Sequence, residues 1–284
     1  MAPEPISGAI LPRADRHCYP RSLGVGAWLT LTARCAAPSA LGSKRFCNHG
    51  ENVSMSNMVS LERIYDKVIF DMDGTLVDSR AAVEVAWRNW ALRHGVSADE
   101  ILAVAHGRRT HEVMQLFAPR GVDLDREATE LETGSDNADD ICAVPGATEL
   151  LRWIPGGDWA VVTSASRELA SRRLLAAGLP LPDFLISADD VSIGKPDPQG
   201  YRLALDRMRA RAEDCLVFED APAGILAAKG AGCDVVAITA ALAHAFEADC
   251  PAVANFHCIS FSMKSGMRSR RWQGRYASVG APAP

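Results

Sequence analysis

From Lys67 onward, short apolar runs rich in Val and Ile alternate with longer stretches whose apolar residues recur every three to four positions. The runs are Lys67–Phe70, Trp159–Thr163, Phe184–Ser187, Cys215–Phe218 and Asp234–Ile238. A strand buried on both faces of a parallel sheet has no wet face, so its sequence reads as a continuous apolar run instead of an alternation. Helical spacing is predicted between the runs, over Thr148–Trp153, Ser166–Ala177, Gln199–Arg209 and Pro222–Ala231. This rhythm predicts an α/β domain with a doubly wound (Rossmann-like) parallel sheet.

One long interruption breaks the rhythm. The 88 residues between Phe70 and Trp159 are mostly helical in pattern. Arg80–His94 places Val83, Trp87, Trp90 and Ala91 on one stripe, and further helices are predicted over Ala98–His106, Thr110–Phe117 and Leu124–Glu132. The expected plan is an α/β core over 59–78 and 143–262, interrupted by an inserted helical domain over 79–142. Val253–Phe256 is the candidate for a closing strand. A disordered extension is expected over 1–58 and a disordered basic tail over 263–284.

Composition sharpens this division. Residues 61–250 carry 19 basic and 32 acidic side chains, a net charge of −13, whereas 1–60 carry 6 basic and 3 acidic and 251–284 carry 5 basic and none acidic. An acidic central block argues against nucleic acid as a partner. No apolar stretch approaches the roughly 18 to 20 residues of a spanning helix, so no membrane partner is expected. Residues 1–54 are rich in Ala, Ser, Gly, Pro and Arg without a sustained period. They read first as a disordered extension and second as a targeting segment, and a start at Met55 or Met58 is a third reading. The expected location is cytoplasmic, with organellar targeting by residues 1–54 left open. Eight cysteines are scattered without a Cys-x-x-Cys pair, so reduced thiols are expected rather than a zinc site or a disulfide scaffold.

Candidate chemistry sits at the ends of the predicted strands. Lys67–Phe70 runs into Asp71-Met72-Asp73-Gly74-Thr75. Side chains two apart on extended backbone point the same way, so Asp71 and Asp73 face one site, at the strand end where open α/β sheets bind ligands. Two adjacent carboxylates oppose each other's ionisation, and a divalent cation relieves that. The run at 159 ends in Thr163, Ser164 and Ser166 before a helix, a place where hydroxyl and N–H groups bind phosphate, although Ser and Thr also serve there as helix caps. Lys195, between Gly194 and Pro196, offers a point charge on a stiff loop. Cys215–Phe218 ends in Glu219-Asp220, two more oxygen donors suited to Mg2+. His111-Glu112 suggests half of a zinc-protease motif, but position 115 is Gln.

Carboxylate pair, hydroxyl, lysine and carboxylate pair, in that order, resemble the haloacid dehalogenase superfamily, within it the phosphatases with a helical cap inserted after the first motif. The resemblance covers about residues 64–260 and rests on Asp71 to Thr75 and on Glu219-Asp220 followed by Ala221-Pro222-Ala223-Gly224. The inserted segment His106–Pro119 (HGRRTHEVMQLFAP) is similar to the cap of glycerol-phosphate and 2-deoxyglucose-6-phosphate phosphatases. From Met263 on, the chain matches nothing in the family pattern.

The resemblance implies a phosphomonoester hydrolase of small sugar or polyol phosphates. Asp71 would be the nucleophile and form an aspartyl-phosphate, with Asp73 as general acid and base. Thr163 and Ser164 would hold phosphoryl oxygens and Lys195 would supply positive charge. The implied cofactor is Mg2+, with Asp71, Asp73 (through its carbonyl), Glu219 and Asp220 as the metal residues. Arg109 and His106 of the cap would contact the substrate, while Arg108 has no counterpart in the pattern. The implied partner is a small phosphorylated metabolite, and the expected assembly a monomer or weak homodimer. Two rivals share the fold: a sugar phosphomutase of the β-phosphoglucomutase type, which passes the phosphoryl group to a second sugar hydroxyl, and a non-enzymatic binding protein. A binding role would not need Asp73, and the family's dehalogenases lack that second Asp.

Overall fold

The computed structural model describes residues 59–61, 63–134, 140–240, 249–265 and 270–276, with side chains placed at 61, 63–134, 140–240, 249–260, 274 and 275. All of them fall in the second of two units into which the chain divides, Ala36–Pro284. The extension expected over 1–58, with its targeting alternative, lies outside the described residues.

Strands occur at Val59–Ser60 (β1), Lys67–Phe70 (β2), Val77–Asp78 (β3), Cys142–Ala143 (β4), Trp159–Val162 (β5), Phe184–Ile186 (β6), Cys215–Glu219 (β7), Asp234–Ile238 (β8), Ala252–Val253 (β9), Ile259–Ser265 (β10) and Arg270–Tyr276 (β11). Six of them form a wholly parallel sheet in the order β6-β5-β2-β7-β8-β9. Its period of two sorts side chains cleanly between the faces. Val68, Phe70, Val161, Leu216, Phe218, Val236 and Ile238 pack on one side with Leu150, Leu151, Leu169 and Leu174. Ile69, Ala160, Val162, Val217, Val235 and Ala237 pack on the other with Tyr201, Leu205, Ile225 and Ala228. The first face is covered by α5 (Ala147–Trp153) and α6 (Arg167–Ala176), the second by α7 (Gln199–Met208) and α8 (Pro222–Gly230). The predicted runs are strands because both faces are dry.

Between β3 and β4 lie four helices, α1 (Arg80–His94), α2 (Ala98–Ala105), α3 (Thr110–Phe117) and α4 (Leu124–Gly134). They enclose their own core of Trp87, Trp90, Ala91, Ile101, Ala105, Val113, Met114 and Leu131. Trp87 meets Trp90 edge to face at 5.7 Å. β3 and β4, the two crossings between core and cap, pair with each other antiparallel, Val77 opposite Ala143 and Asp78 opposite Cys142.

The C-terminal region departs from expectation. The closing strand is only Ala252–Val253, and a 3-10 turn, Phe256–Cys258, follows it. Phe256 is fully buried and meets the stacked rings of Phe70 and Phe218 edge on, at 5.8 and 5.4 Å. The Phe256 N–H donates to Pro145 O at 3.0 Å. Gly146 admits this approach: its φ is +83°, and a Cβ would lie 2.8 Å from the His257 nitrogen. The tail expected to be disordered from 263 is strand over 263–265 and 270–276; β10 and β11 form an antiparallel sheet with β1, in the order β1-β11-β10. Apolar and polar residues do alternate along Ile259–Ser265, but the arginines of 268–275 obscure the pairing partner. Cys215, Cys233, Cys250 and Cys258 are free thiols, whereas Cys142 is disulfide-bonded, contrary to the expectation of reduced cysteines throughout. Among the described residues no helix is long and apolar enough to cross a membrane.

Beyond β6 the chain turns on Asp190, whose carboxylate accepts from the Ser187 N–H and hydroxyl, from Arg167 at 2.6 Å and from Arg207 at 2.9 Å. Burial works against its charge, but these donors together outweigh burial and bring its pKa down to about 2. A folded-state pKa below the unfolded value stabilises above that unfolded value and is lost as pH falls. The Asp190 contribution should therefore be full above about pH 4 and vanish by about pH 2. Asp190→Asn should cost about 2 kcal/mol at neutral pH and flatten the stability profile between those values, as read by urea unfolding. Phe256→Ala should cost about 3 to 4 kcal/mol in the same assay; a change below about 1 kcal/mol would mean the C-terminal segment is not part of the core.

Candidate active site

The site grows from the C-terminal ends of adjacent strands. Asp71 follows β2, and its N–H still donates to Phe218 O of β7 at 2.9 Å, so its carboxylate is fixed at the sheet edge. The chain then turns tightly, with the Leu76 and Val77 N–H groups donating to Met72 O and the Gly74 N–H to Val77 O. Gly74 has φ +88°, and a Cβ there would lie 1.9 Å from Asp220 Oδ2. Both conditions require glycine. On β7, Glu219 is the last residue and Asp220 the next, and α8 begins two residues on.

Lys195 binds this group together. Its Nζ donates to Asp71 Oδ1 at 2.5 Å, to Glu219 Oε1 at 2.6 Å and to Val162 O at 3.1 Å, and the residue is 5% exposed. Burial alone would lower the lysine pKa, but the Asp71 and Glu219 carboxylates outweigh it, so the ammonium stays charged. Asp71 is pushed up to about 8, by burial first and then by Glu219, against the pull of Lys195. Asp220 is raised as well, by burial and then by Asp71 and Glu219.

Of the residues expected from sequence, Asp71, Lys195, Glu219 and Asp220 are brought together. Asp71, Glu219 and Asp220 offer oxygens within 4.8 Å of one another, an all-carboxylate donor set suited to Mg2+. Glu219, however, expected among the metal ligands, has both oxygens committed. Oε1 accepts from Lys195 and from the Tyr201 hydroxyl (2.8 Å), and Oε2 from the N–H groups of Asp220 (3.0 Å) and Ala221 (3.2 Å). Those donors give Glu219 a scaffold role whether or not it also meets a cation, and leave Asp71 and Asp220 the less engaged of the three acids. Burial first, and neighbouring carboxylates second, raise the pKa values of that pair against the partial offset from Lys195, and a divalent ion would complete that offset.

Above this floor is a cavity of about 90 Å³ lined by Asp71, Asp73 and Asp220, by Thr163 and Ser164, and by His106 and Arg108 of the cap. Arg80 and Arg173 complete its basic side. Asp73 Oδ1 accepts from the Ser79 hydroxyl at 2.6 Å and from Arg173 Nη1 at 2.8 Å. The Thr163 hydroxyl accepts from the Ala165 N–H (3.1 Å), and the Ser164 hydroxyl donates to Gly107 O of the cap (2.8 Å). The surface of His106 is largely exposed, yet partial enclosure of the ring, then nearby Arg80, lowers its pKa. Arg109, expected over the substrate, does not line this cavity. It reaches the carbonyls of Val191 and Ser192 instead, and Arg108 takes the place beside the pocket.

Sequence reasoning missed Arg173 and Tyr201. Arg173 shares the inward stripe of α6 with Leu169, four residues earlier, a phase that separates it from exposed-looking Arg172 only once the helix is placed. Tyr201 lies on the buried stripe of α7 with Ala204, Leu205 and Met208, where an aromatic reads as core.

The strand-end carboxylates and lysine under a helical cap define a hydrolase of the haloacid dehalogenase type. The haloacid dehalogenase-like hydrolase family matches residues 65–232. Hexitol phosphatase A of Escherichia coli is 42% identical over 177 residues, 61% of this chain and 82% of that protein. 2-Deoxyglucose-6-phosphate phosphatase 1 of Saccharomyces cerevisiae is 35% identical over 196 residues, 61% of this chain and 80% of that protein. A hydrolase from Pseudomonas syringae of known structure superposes with a TM-score of 0.57 at 25% identity, over 63% of this chain and 87% of that one. The chain belongs to the haloacid dehalogenase-like hydrolases, among their phosphatases.

Tyr201→Phe tests the scaffold role of Glu219, because it removes one donor from a fully buried carboxylate. It should cost about 1 to 3 kcal/mol in urea unfolding, and an unchanged midpoint would show that the tyrosine hydroxyl is dispensable.

Proposed function

We propose that this chain is a Mg2+-dependent phosphomonoester hydrolase of small sugar or polyol phosphates, working through an aspartyl-phosphate on Asp71. The observation that carries the reading is the placement of Asp71 on the floor of a small cavity, against Lys195, with Asp73 two residues on at the cavity wall.

The residues divide the work. Asp71 Oδ2, the oxygen opposite the one bound by Lys195, is the atom that attacks phosphorus, and the covalent intermediate splits one difficult displacement into two easier ones. Asp73, held by Ser79 and Arg173, gives a proton to the departing alkoxide and then takes one from the water that cleaves the acyl-phosphate. The hydroxyls of Thr163 and Ser164 hold the phosphoryl oxygens, Ser164 by redirecting the proton it otherwise gives to Gly107 O, while Lys195 offsets charge on Asp71. Asp71, Asp220 and the Asp73 carbonyl would hold Mg2+, which would supply electrostatic stabilisation of the phosphoryl group. The basic wall of Arg80, His106, Arg108 and Arg173 suits an anionic ester, and the cavity's size suits a short leaving group. Relatives named as hexitol and 2-deoxyglucose-6-phosphate phosphatases support a sugar or polyol phosphate.

The test is phosphate release from glycerol, hexitol, 2-deoxyglucose and hexose phosphates, with Mg2+ and with EDTA. Release should require Mg2+, and Asp71→Asn should reduce kcat by about 10³-fold or more. Asp73→Asn should slow sugar phosphates far more than p-nitrophenyl phosphate, whose leaving group needs no proton. Folded protein that releases phosphate from none of these esters, or an Asp71→Asn variant that remains active, would overturn the assignment.

A further inference from the structure

Two side chains of the cap reach across to the loop that carries Lys195. Arg109, at the N-terminal cap of α3, donates from Nη1 to Val191 O at 3.2 Å and to Ser192 O at 3.1 Å. Glu112, one turn further on, accepts the Gly194 N–H on Oε1 at 2.9 Å, and it lies 3.6 Å from Arg109 Nη1. Both are partly enclosed, at 20% and 29% side-chain exposure; the bonds to Val191 O and from the Gly194 N–H are part-buried, and the bond to Ser192 O is exposed.

The loop is held from both sides, and across the lysine the Asp197 N–H donates to Gly194 O at 3.0 Å. Gln199 Oε1 of the core accepts from the N–H groups of Ser192 (3.0 Å) and Ile193 (2.9 Å) and from the Ser192 hydroxyl (3.1 Å). The next N–H, Gly194, goes to the cap. Of these consecutive donors, two are tied to the core and the third, directly before Lys195, to the other domain. Gly194 lets the cap come this close: a Cβ would lie 2.5 Å from Arg109 Cδ and 2.7 Å from Glu112 Oε2. It is not among the positive-φ glycines, so alanine would obstruct the approach without straining the backbone. Lys195 Nζ, in turn, must meet Asp71, Glu219 and Val162 O at once.

We propose that Arg109 and Glu112 are positioning residues: docking of the cap through them sets the loop that delivers the Lys195 ammonium to Asp71. Closing over a substrate and completing the charge arrangement at the nucleophile are then one event. The kinetic part of this inference rests on the hydrolase reading; the contact itself does not.

The experiment compares Glu112→Ala, Glu112→Gln and Gly194→Ala with the unaltered full chain, after thermal unfolding establishes that each is folded. Two readouts are taken: hydrogen exchange at the Gly194–Lys195 amides, and steady-state phosphate release from the best ester in the panel. In Glu112→Ala these amides should exchange about tenfold faster or more, and kcat should fall about 10- to 100-fold with KM within about threefold. Glu112→Gln keeps an acceptor oxygen, so it should retain slow exchange and return kcat to within about threefold of the unaltered chain. Gly194→Ala should reproduce the kcat loss by displacing both cap side chains without altering either residue. Faster exchange with unchanged kcat would overturn the positioning role. A raised KM at constant kcat would assign the pair to substrate contact instead, and unchanged exchange in Glu112→Ala would remove the contact. If the unaltered chain releases no phosphate, the hydrolase reading fails, and the exchange of the alanine and glutamine variants still decides whether the cap holds the loop.

Discussion

Asp71, Glu219 and Asp220 place their oxygens within 4.8 Å of one another, each less than a tenth exposed, and one ammonium lies between two of them. Carboxylates this close cannot all ionise away from water unless something offsets their repulsion and replaces their lost hydration. Lys195 does so for Asp71 and Glu219, and its third proton goes to a strand carbonyl, Val162 O. The core is arranged around holding this group. A parallel sheet brings the ends of β5, β2 and β7 side by side, which puts the Val162 carbonyl, Asp71 and the acidic pair on one rim. Gly74 and Gly224 keep that space clear, since a Cβ at either would fall within 2 Å of a carboxylate oxygen of Asp220 or Glu219. Asp220 receives less compensation than its neighbours, a Thr75 hydroxyl at 3.5 Å, and there the argument for a cation is strongest.

Floor and wall of the cavity come from different layers. The floor is acidic and belongs to the sheet; the wall is basic and comes from the cap, from its first helix and from α6. In the proposed reaction an anionic ester between them would meet positive charge along its sides and Asp71 beneath it. The cap helices enclose their own aromatic core and lie between the paired crossings β3 and β4. A two-stranded ribbon of this length keeps the crossings in register while leaving the helices to be aligned by contacts across the cavity, such as Ser164 to Gly107 O.

Much of this was legible beforehand for a physical reason. Strands buried on both faces must be apolar throughout, so β2, β5, β6, β7 and β8 stood out as runs and matched to within a residue or so at each end. The cap helices were visible because each buries one stripe. Strand-end motifs were visible because strand direction alone sends Asp71, Thr163 and Glu219-Asp220 to one rim. The failures share a cause as well. β10 and β11 are stabilised by pairing with each other and with β1, some 200 residues away in sequence, and pairing leaves little mark on composition. Arg173 and Tyr201 hide among ordinary helix residues until helix phase is known.

Residue type and order by themselves determined the alternating core, the inserted run of helices and the acids, hydroxyls and lysine at the strand ends, because local periodicity and strand direction are properties of the chain. Tertiary structure alone decided which donor meets which acceptor. It joined Glu219 to Lys195 and Tyr201, turned Arg109 away from the cavity toward the lysine loop, and aimed Arg173 at Asp73. Those outcomes depend on distances of a few ångströms between segments tens to more than a hundred residues apart, and only the packed core sets such distances.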